Sequence, residues 1–92
     1  MSFKLSYHPK VKDIDIPKLT PKNKKKISQA IVDKLTTYPH VFGKPLRLSL
    51  KNHRSLRVGD YRVIYSLRQK IVTVLLIEHR SIVYENVSQR MA

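Results

Sequence analysis

From about His53 the apolar residues of this chain recur at every second position, whereas between Thr20 and Thr37 they recur at every third or fourth. A period of 2 describes a strand with one face buried, and a period of 3.6 a helix with one buried stripe. A chain of 92 residues that changes period once has to pack helix against sheet. That predicts one α+β domain over residues 1–92. The core is thin, since so short a chain buries only roughly 60–65% of the surface its unfolded form exposes.

The elements can be placed from their end signals. Phe3-Lys4-Leu5-Ser6-Tyr7 alternates apolar and polar, as a short strand does. Val11 and Ile14 then sit at helical spacing, but Pro17 keeps any helix there short or broken. Thr20-Pro21 is a helix start, a hydroxyl cap followed by proline at the first helical position. The helix predicted from Lys22 to about Thr37 keeps Ile27, Ala30, Ile31 and Leu35 on one stripe, with lysines mostly on the other side. Tyr38-Pro39-His40 ends it, and Gly43 and Pro45 keep the next stretch irregular. Gly59-Asp60 is a two-residue turn between two alternating runs, and Arg68-Gln69-Lys70 turns the chain again. Ile71 to Ile77 is apolar at nearly every position, which predicts a central strand covered on both faces. Residues 81–92 are compatible with a strand, a short helix or a frayed end. The architecture expected is a short strand, a helical pair covering one sheet face, and a three-strand antiparallel meander whose other face carries arginines.

Charge narrows the partners. Nineteen lysines and arginines against six acidic residues give a net charge of +13. A field of that sign concentrates polyanions, so nucleic acid comes first, an acidic protein second and an anionic membrane third. Lysine dominates the cations of residues 1–50 and arginine those of residues 51–92. Lysine supplies a long-range solvated field, while the planar arginine fork suits bidentate phosphate contact and stacking on bases. No cysteine is present, which suits a reducing compartment. The residues Met1-Ser2-Phe3-Lys4 show no signal-like apolar stretch, and no apolar run reaches membrane-span length. A soluble, cytoplasmic protein with no membrane partner is expected.

The two-residue turn at Gly59-Asp60 pairs Val58 with Tyr61, which sets Arg57 directly opposite Arg62 on one face. Like charges across a ladder are destabilising unless something compensates. Either a bound phosphate draws both forks together, stabilising charge that develops on it, or both side chains splay into solvent. His79 and Arg80 follow the central strand and Tyr84 comes four residues later. Together they bring a proton-transfer group, a further donor, and a ring that either stacks on an unpaired base or belongs to the core. His53 and Arg54 begin the strand that leads to Arg57, and a regular strand puts His53 on the Arg57 face. Glu78 and Glu85 are the acidic residues nearest this group. No histidine pair has metal-ligand spacing with supporting carboxylates, so neither metal nor cofactor is expected.

At this point a family resemblance enters. Ser55-Leu56-Arg57-Val58-Gly59-Asp60-Tyr61-Arg62-Val63-Ile64-Tyr65 resembles the central motif of the RelE/ParE toxin superfamily. His79-Arg80 followed by Val83-Tyr84 resembles its C-terminal motif, and the upstream strand and helices fit as well. The resemblance is nearest to the RelE-like mRNA interferase branch. It implies a toxin of a type II toxin–antitoxin pair that enters the ribosomal A site and cleaves mRNA without a metal. There a 2′-hydroxyl attacks the adjacent phosphate and leaves a cyclic phosphate. By the same resemblance Arg62 contacts the scissile phosphate, Arg80 is the arginine after the last strand, Tyr84 stacks on the substrate base, and Arg57 matches a basic motif position. The chain departs from the RelE pattern where two lysines help activate the nucleophile: those positions hold His53 and Ser55, with Lys51 and Arg54 beside them. The general base is then His53 or His79. The spacing from Arg80 to Tyr84 is also shorter than in that pattern.

Three functions stand on these residues. The first is a ribosome-dependent mRNA endonuclease with catalytic groups Arg62, Arg80, Tyr84, His53 and His79, and phosphate-binding groups Arg57, Arg54 and Lys51. The second is a ParE-like inhibitor of DNA gyrase on the same fold, and the third a non-catalytic RNA-binding module. The five groups Arg57, Arg62, His79, Arg80 and Tyr84 favour the first. Its partners would be the ribosome, its mRNA, and an acidic antitoxin segment that covers the basic face by folding on binding.

Overall fold

The computed structural model describes residues 3–46 and 52–91. Strand β1 (Lys4–Tyr7) leads into a short, irregularly wound helical stretch, Val11–Asp15 and then Ile16–Lys18, broken where Pro17 removes a backbone donor. Helix α1 (Pro21–Ala30) starts where expected. The Thr20 hydroxyl oxygen accepts from the Asn23 N–H at 3.2 Å, satisfying one of the donors every helix start leaves open. The coil continues through Ile31–Leu35, burying the predicted stripe of Ile27, Ile31 and Leu35. A single helical turn, α2 (Pro39–Phe42), and a two-residue strand, β2 (Lys44–Pro45), occupy the stretch read as irregular.

Three long strands follow: β3 (His53–Val58), β4 (Tyr61–Arg68) and β5 (Ile71–His79). The first hairpin closes at Gly59-Asp60 with Gly59 at φ +61°, the left-handed region that costs glycine nothing. The second closes at Gln69-Lys70, where Gln69 takes φ +56° without that freedom. The sheet has five strands in the order β1-β5-β4-β3-β2. Its meander is antiparallel, while β1 joins β5 in parallel from Lys4↔Ile71 to Tyr7↔Val74. The sequence leaves residues 81–92 open between strand, short helix and frayed end. In the structure Val83–Met91 forms helix α3, which packs on the sheet face away from α1.

The two faces therefore have separate cores. Leu56, Val58, Val63, Tyr65, Val72, Val74 and Ile77 pack under Val11 and the α1 stripe. On the other face Ile64 and Leu76 meet Val83 and Val87 of α3. One buried ion pair ties the layers together. Asp15 accepts from Arg90 at 2.7 and 3.0 Å, and its Oδ2 also accepts from the Ile77 N–H at 3.0 Å. Arg90 donates in addition to the Leu75 carbonyl at 3.0 Å. Strand β1 stops pairing at Val74, so these two side chains satisfy the backbone of β5 just beyond it. No helix is long and apolar enough to cross a membrane, among the described residues.

Candidate functional site: a cleft between two arginines and an aromatic rim

The register of β3 and β4 sets the site. Val58 pairs with Tyr61 and Arg57 with Arg62, as the two-residue turn dictates. Side chains that face each other across a ladder stand about 5 Å apart, so two guanidinium groups rise from neighbouring positions of the face that carries α3. The Arg62 fork rests on the turn, donating to the Tyr61 carbonyl at 3.2 Å and the Gly59 carbonyl at 3.4 Å. On the far side of Arg62 the same row continues to Glu78 of β5. That carboxylate accepts from the His79 N–H at 3.2 Å and from the Asn86 amide of α3 at 3.4 Å. A carboxylate in the row offsets part of the repulsion between the arginines, and it also adds a proton acceptor.

A cleft of about 270 Å³ opens above this row, lined by Phe42, Lys44, Ser55, Arg57, Arg62 and Tyr84. Helix α3 seats Val83 and Val87, four residues apart, on the sheet. Tyr84, one position on, is rotated off that buried stripe and is 57% exposed at the rim. Phe42 of α2, 45% exposed, forms a second rim. The buried hydroxyl oxygen of Ser55 makes no hydrogen bond among the described residues, so it is available to a group entering the cleft. Three cations and two exposed rings in one concavity, with the Glu78 carboxylate one strand beyond Arg62, suit a phosphate carrying an unstacked base.

Some expected site residues lie elsewhere. Arg54 has the strand parity of Leu56 and Val58, so it points to the α1 face, where its guanidinium donates to the Gly43 carbonyl beside Tyr65. The expectation that it joins the phosphate-binding group is thereby corrected. His79 pairs with Tyr61 and shares that same α1 face, its ring edge-on to Tyr61 at 5.6 Å between centroids. It therefore does not meet Arg57 and Arg62 in one concave area. Its Nδ1 accepts the Ser81 N–H at 3.1 Å, which puts the proton of the neutral ring on Nε2. Arg80 is exposed at the same end of the sheet, 3.7 Å from Asp60 of the hairpin turn. His53 does share the Arg57 face, but four residues away, or ~13 Å along the strand. There it lines a larger hollow of about 460 Å³ with Ser66, Arg68 and Thr73. That hollow lacks the paired arginines, so its size does not make it the better candidate. Lys51 lies outside the described residues.

Phe42 and Lys44 were not found from sequence. Both stand in the short stretch around α2 and β2, which has no periodicity to orient it. Glu78 was near the predicted group, but only the register with Arg62 puts it in the row.

Comparison with known proteins bears on the family and the fold. Residues 11–84 match the model of the family described as ParE toxin of type II toxin–antitoxin system, parDE. A 33-residue segment is 52% identical to Toxin RelE of Mycobacterium tuberculosis (strain ATCC 25618 / H37Rv); it spans 36% of this chain and 34% of that protein's length. The fold is similar to the toxin–antitoxin complex RelBE2 from M. tuberculosis, with TM-score 0.79, 26% identity, and 88% of this chain and 94% of that chain covered. It is also similar to a mutant E. coli toxin RelE in the free state, with TM-score 0.77, 19% identity and the whole of both chains covered. A third match, at TM-score 0.60 and 19% identity, is a chain of the E. coli DinJ–YafQ toxin–antitoxin complex, with 91% of this chain and 99% of that one covered.

Proposed function

Because the chain belongs to the ParE toxin family of type II toxin–antitoxin systems, and so to the RelE/ParE superfamily, we propose that it is the RNA-cutting kind of toxin. Its substrate is messenger RNA held on the ribosome. The observation that carries this reading is the facing pair Arg57 and Arg62 beneath the exposed Tyr84 ring. Two forks take the non-bridging oxygens of one phosphate and stabilise the charge that grows there in the transition state. Tyr84 stacks on the adjoining base. The 2′-hydroxyl gives its proton to Glu78, the carboxylate in the arginine row. Its oxygen then bonds to phosphorus while the bond from phosphorus to the 5′-oxygen breaks. The leaving oxygen takes a proton from solvent, and the products are a cyclic phosphate and a free 5′-hydroxyl. Guanidinium charge does the work here, so the scheme uses no metal.

In this scheme neither histidine takes the proton, because His79 lies on the other face and His53 ~13 Å along β3. The Arg80 side chain makes an exposed pair with Asp60, of a kind worth about 0–1 kcal/mol, and so is cheaply released to a substrate phosphate. The partner that keeps the toxin harmless is an acidic antitoxin segment laid over the basic face. Two of the similar structures are toxin–antitoxin complexes, which supports such a partner. The ParE description of the family favours a second reading, a poison of DNA gyrase without nuclease chemistry.

mRNA cleavage in a reconstituted translation system, with and without ribosomes, separates the two. Ribosome-dependent cuts are expected from the wild type and none from Arg62→Ala. Glu78→Gln should slow cutting by roughly 10²–10⁴-fold, the usual contribution of a general base. No cutting by folded, antitoxin-free protein would refute the nuclease reading and make gyrase the next target.

A further inference from the structure

The residues Val58 and Tyr61 that close the first hairpin face α1, one step beyond Arg57 and Arg62 and on the opposite side of the sheet. There a second hollow, of about 320 Å³, opens between the turn and the start of α1, lined among others by Asn23, Lys26, Asp60, Tyr61 and His79. Three donor-bearing side chains, Asn23, Lys26 and His79, line it together. Ser81 fixes the His79 tautomer so that Nε2 carries the proton, and Ser81 Oγ lies 2.8 Å from Nδ1 on the same side of the ring. The Tyr61 ring holds the imidazole edge-on. The Lys26 ammonium hangs over Gly59, 3.1 Å from where a side chain there would begin. Asn23 stands on the first turn of α1, where the positive end of the helix dipole adds to the field. Asp60, the one acidic group among the described residues lining the hollow, has the Arg80 guanidinium 3.7 Å away.

We infer that this hollow is a second phosphate-binding site, in which Lys26, the His79 Nε2–H and Asn23 hold an RNA phosphate a short way along from the end of the sheet where the cut is made. The inference rests on the reading of the chain as an RNA-directed toxin and assigns His79 a binding role there. A strand leaving the Arg57–Arg62 cleft over the Gly59-Asp60 turn reaches it by rounding the sheet edge. Folded ribosomal RNA beside the message presents the same group. The chemistry is one phosphodiester in either case.

Binding, measured apart from cutting, tests it. Affinity is read for a single-stranded oligoribonucleotide and for purified ribosomes, as a function of salt. The variants are His79→Phe, Lys26→Met and, as a control on the solvent side of α1, Lys22→Met. His79→Phe is the decisive one, because it keeps a ring against Tyr61 and leaves the net charge unchanged while removing a donor. A loss of about tenfold is expected for His79→Phe, the size of a hydrogen bond to a charged group. Lys26→Met should lose at least as much and lower the salt slope by about one, more than Lys22→Met does. Loss in the oligonucleotide arm identifies the message as the source, and loss with ribosomes alone identifies folded RNA. If His79→Phe binds both like the wild type, or Lys26→Met behaves like Lys22→Met, the site is refuted. A wild type that binds RNA through these residues but never cuts would refute the nuclease reading and leave this site standing; one that binds neither RNA would refute both.

Discussion

Replacing Arg90 by methionine should cost this protein a large part of its stability, although Arg90 belongs to the last turn of its last helix. The side chain is 10% exposed and its partner Asp15 1% exposed, so the pair is cut off from water. Methionine keeps much of the volume but removes three hydrogen bonds, two to Asp15 and one to the Leu75 carbonyl. Asp15 is left as a buried carboxylate with the Ile77 N–H as its one donor among the described residues. Breaking such a pair from one side costs about 3–5 kcal/mol, against a total of roughly 5–15 kcal/mol for a small domain. At about 4–8 °C per kcal/mol for a domain of this size, the melting temperature should fall by at least ~12 °C. Thermal and urea unfolding followed by circular dichroism give both numbers. Adding Asp15→Asn removes the stranded charge and leaves an oxygen for Ile77, so the double variant should recover part of the loss. A cost below ~1 kcal/mol for Arg90→Met, as an exposed pair would show, or a double variant no better than the single, would refute this account. Because α3 also carries Tyr84, the single variant should cut RNA more slowly at temperatures where it is still folded.

Three further outcomes follow from local contacts. Gly43→Ala would place a methyl group on the Tyr65 ring, whose Cζ and Cε1 lie 2.8 and 2.9 Å from that position, and would push the Tyr65 hydroxyl off the Pro39 carbonyl. A loss of about 1–3 kcal/mol is expected in urea unfolding. Thr20→Ala removes the cap of α1 and should cost about 1 kcal/mol by the same measurement. Burial pushes the hydroxyls of Tyr7 and Tyr65 above their ordinary value of 10.0, with the Arg54 guanidinium pulling Tyr65 partly back. The folded state then holds these protons more tightly than the unfolded chain, so their contribution is complete below pH 10 and is lost as pH rises beyond it. Circular dichroism across that range, with phenolate absorbance, should show unfolding accompany ionisation; exposed tyrosines would ionise with the fold intact.

How far the molecule can be read from its sequence depends on whether a period or a turn fixes each residue's direction. The facing of Arg57 and Arg62 was legible because a two-residue turn sets the register and strand parity sets the face. The same parity places Arg54 with Leu56 and Val58, so its turn toward Gly43 is legible too, although its residue type suits the phosphate-binding group. His79 was not. Ile71 to Ile77 is apolar on nearly every residue, so no alternation marks its faces. Leu75 is moreover an extra residue between Val74, paired with Tyr65, and Leu76, paired with Ile64, and it flips the parity that would have been counted back from the turn. The α3 helix and the Asp15–Arg90 pair were hidden for another reason: neither partner predicts the other across 75 residues.

The parallel joining of β1 to β5 bears on the order in which the molecule is built. Lys4 is synthesised well before its partner Ile71, which emerges only after the whole β3–β4 hairpin. Closing so long a loop is slow compared with forming a tight turn. During synthesis the arginine hairpin can therefore assemble first, while the strand that completes the sheet waits with its backbone unpaired. Nascent chains stopped before residue 71 would carry the positive ladder with β4 unpaired on its other side, and should be the species most prone to proteolysis and to sticking to RNA nonspecifically.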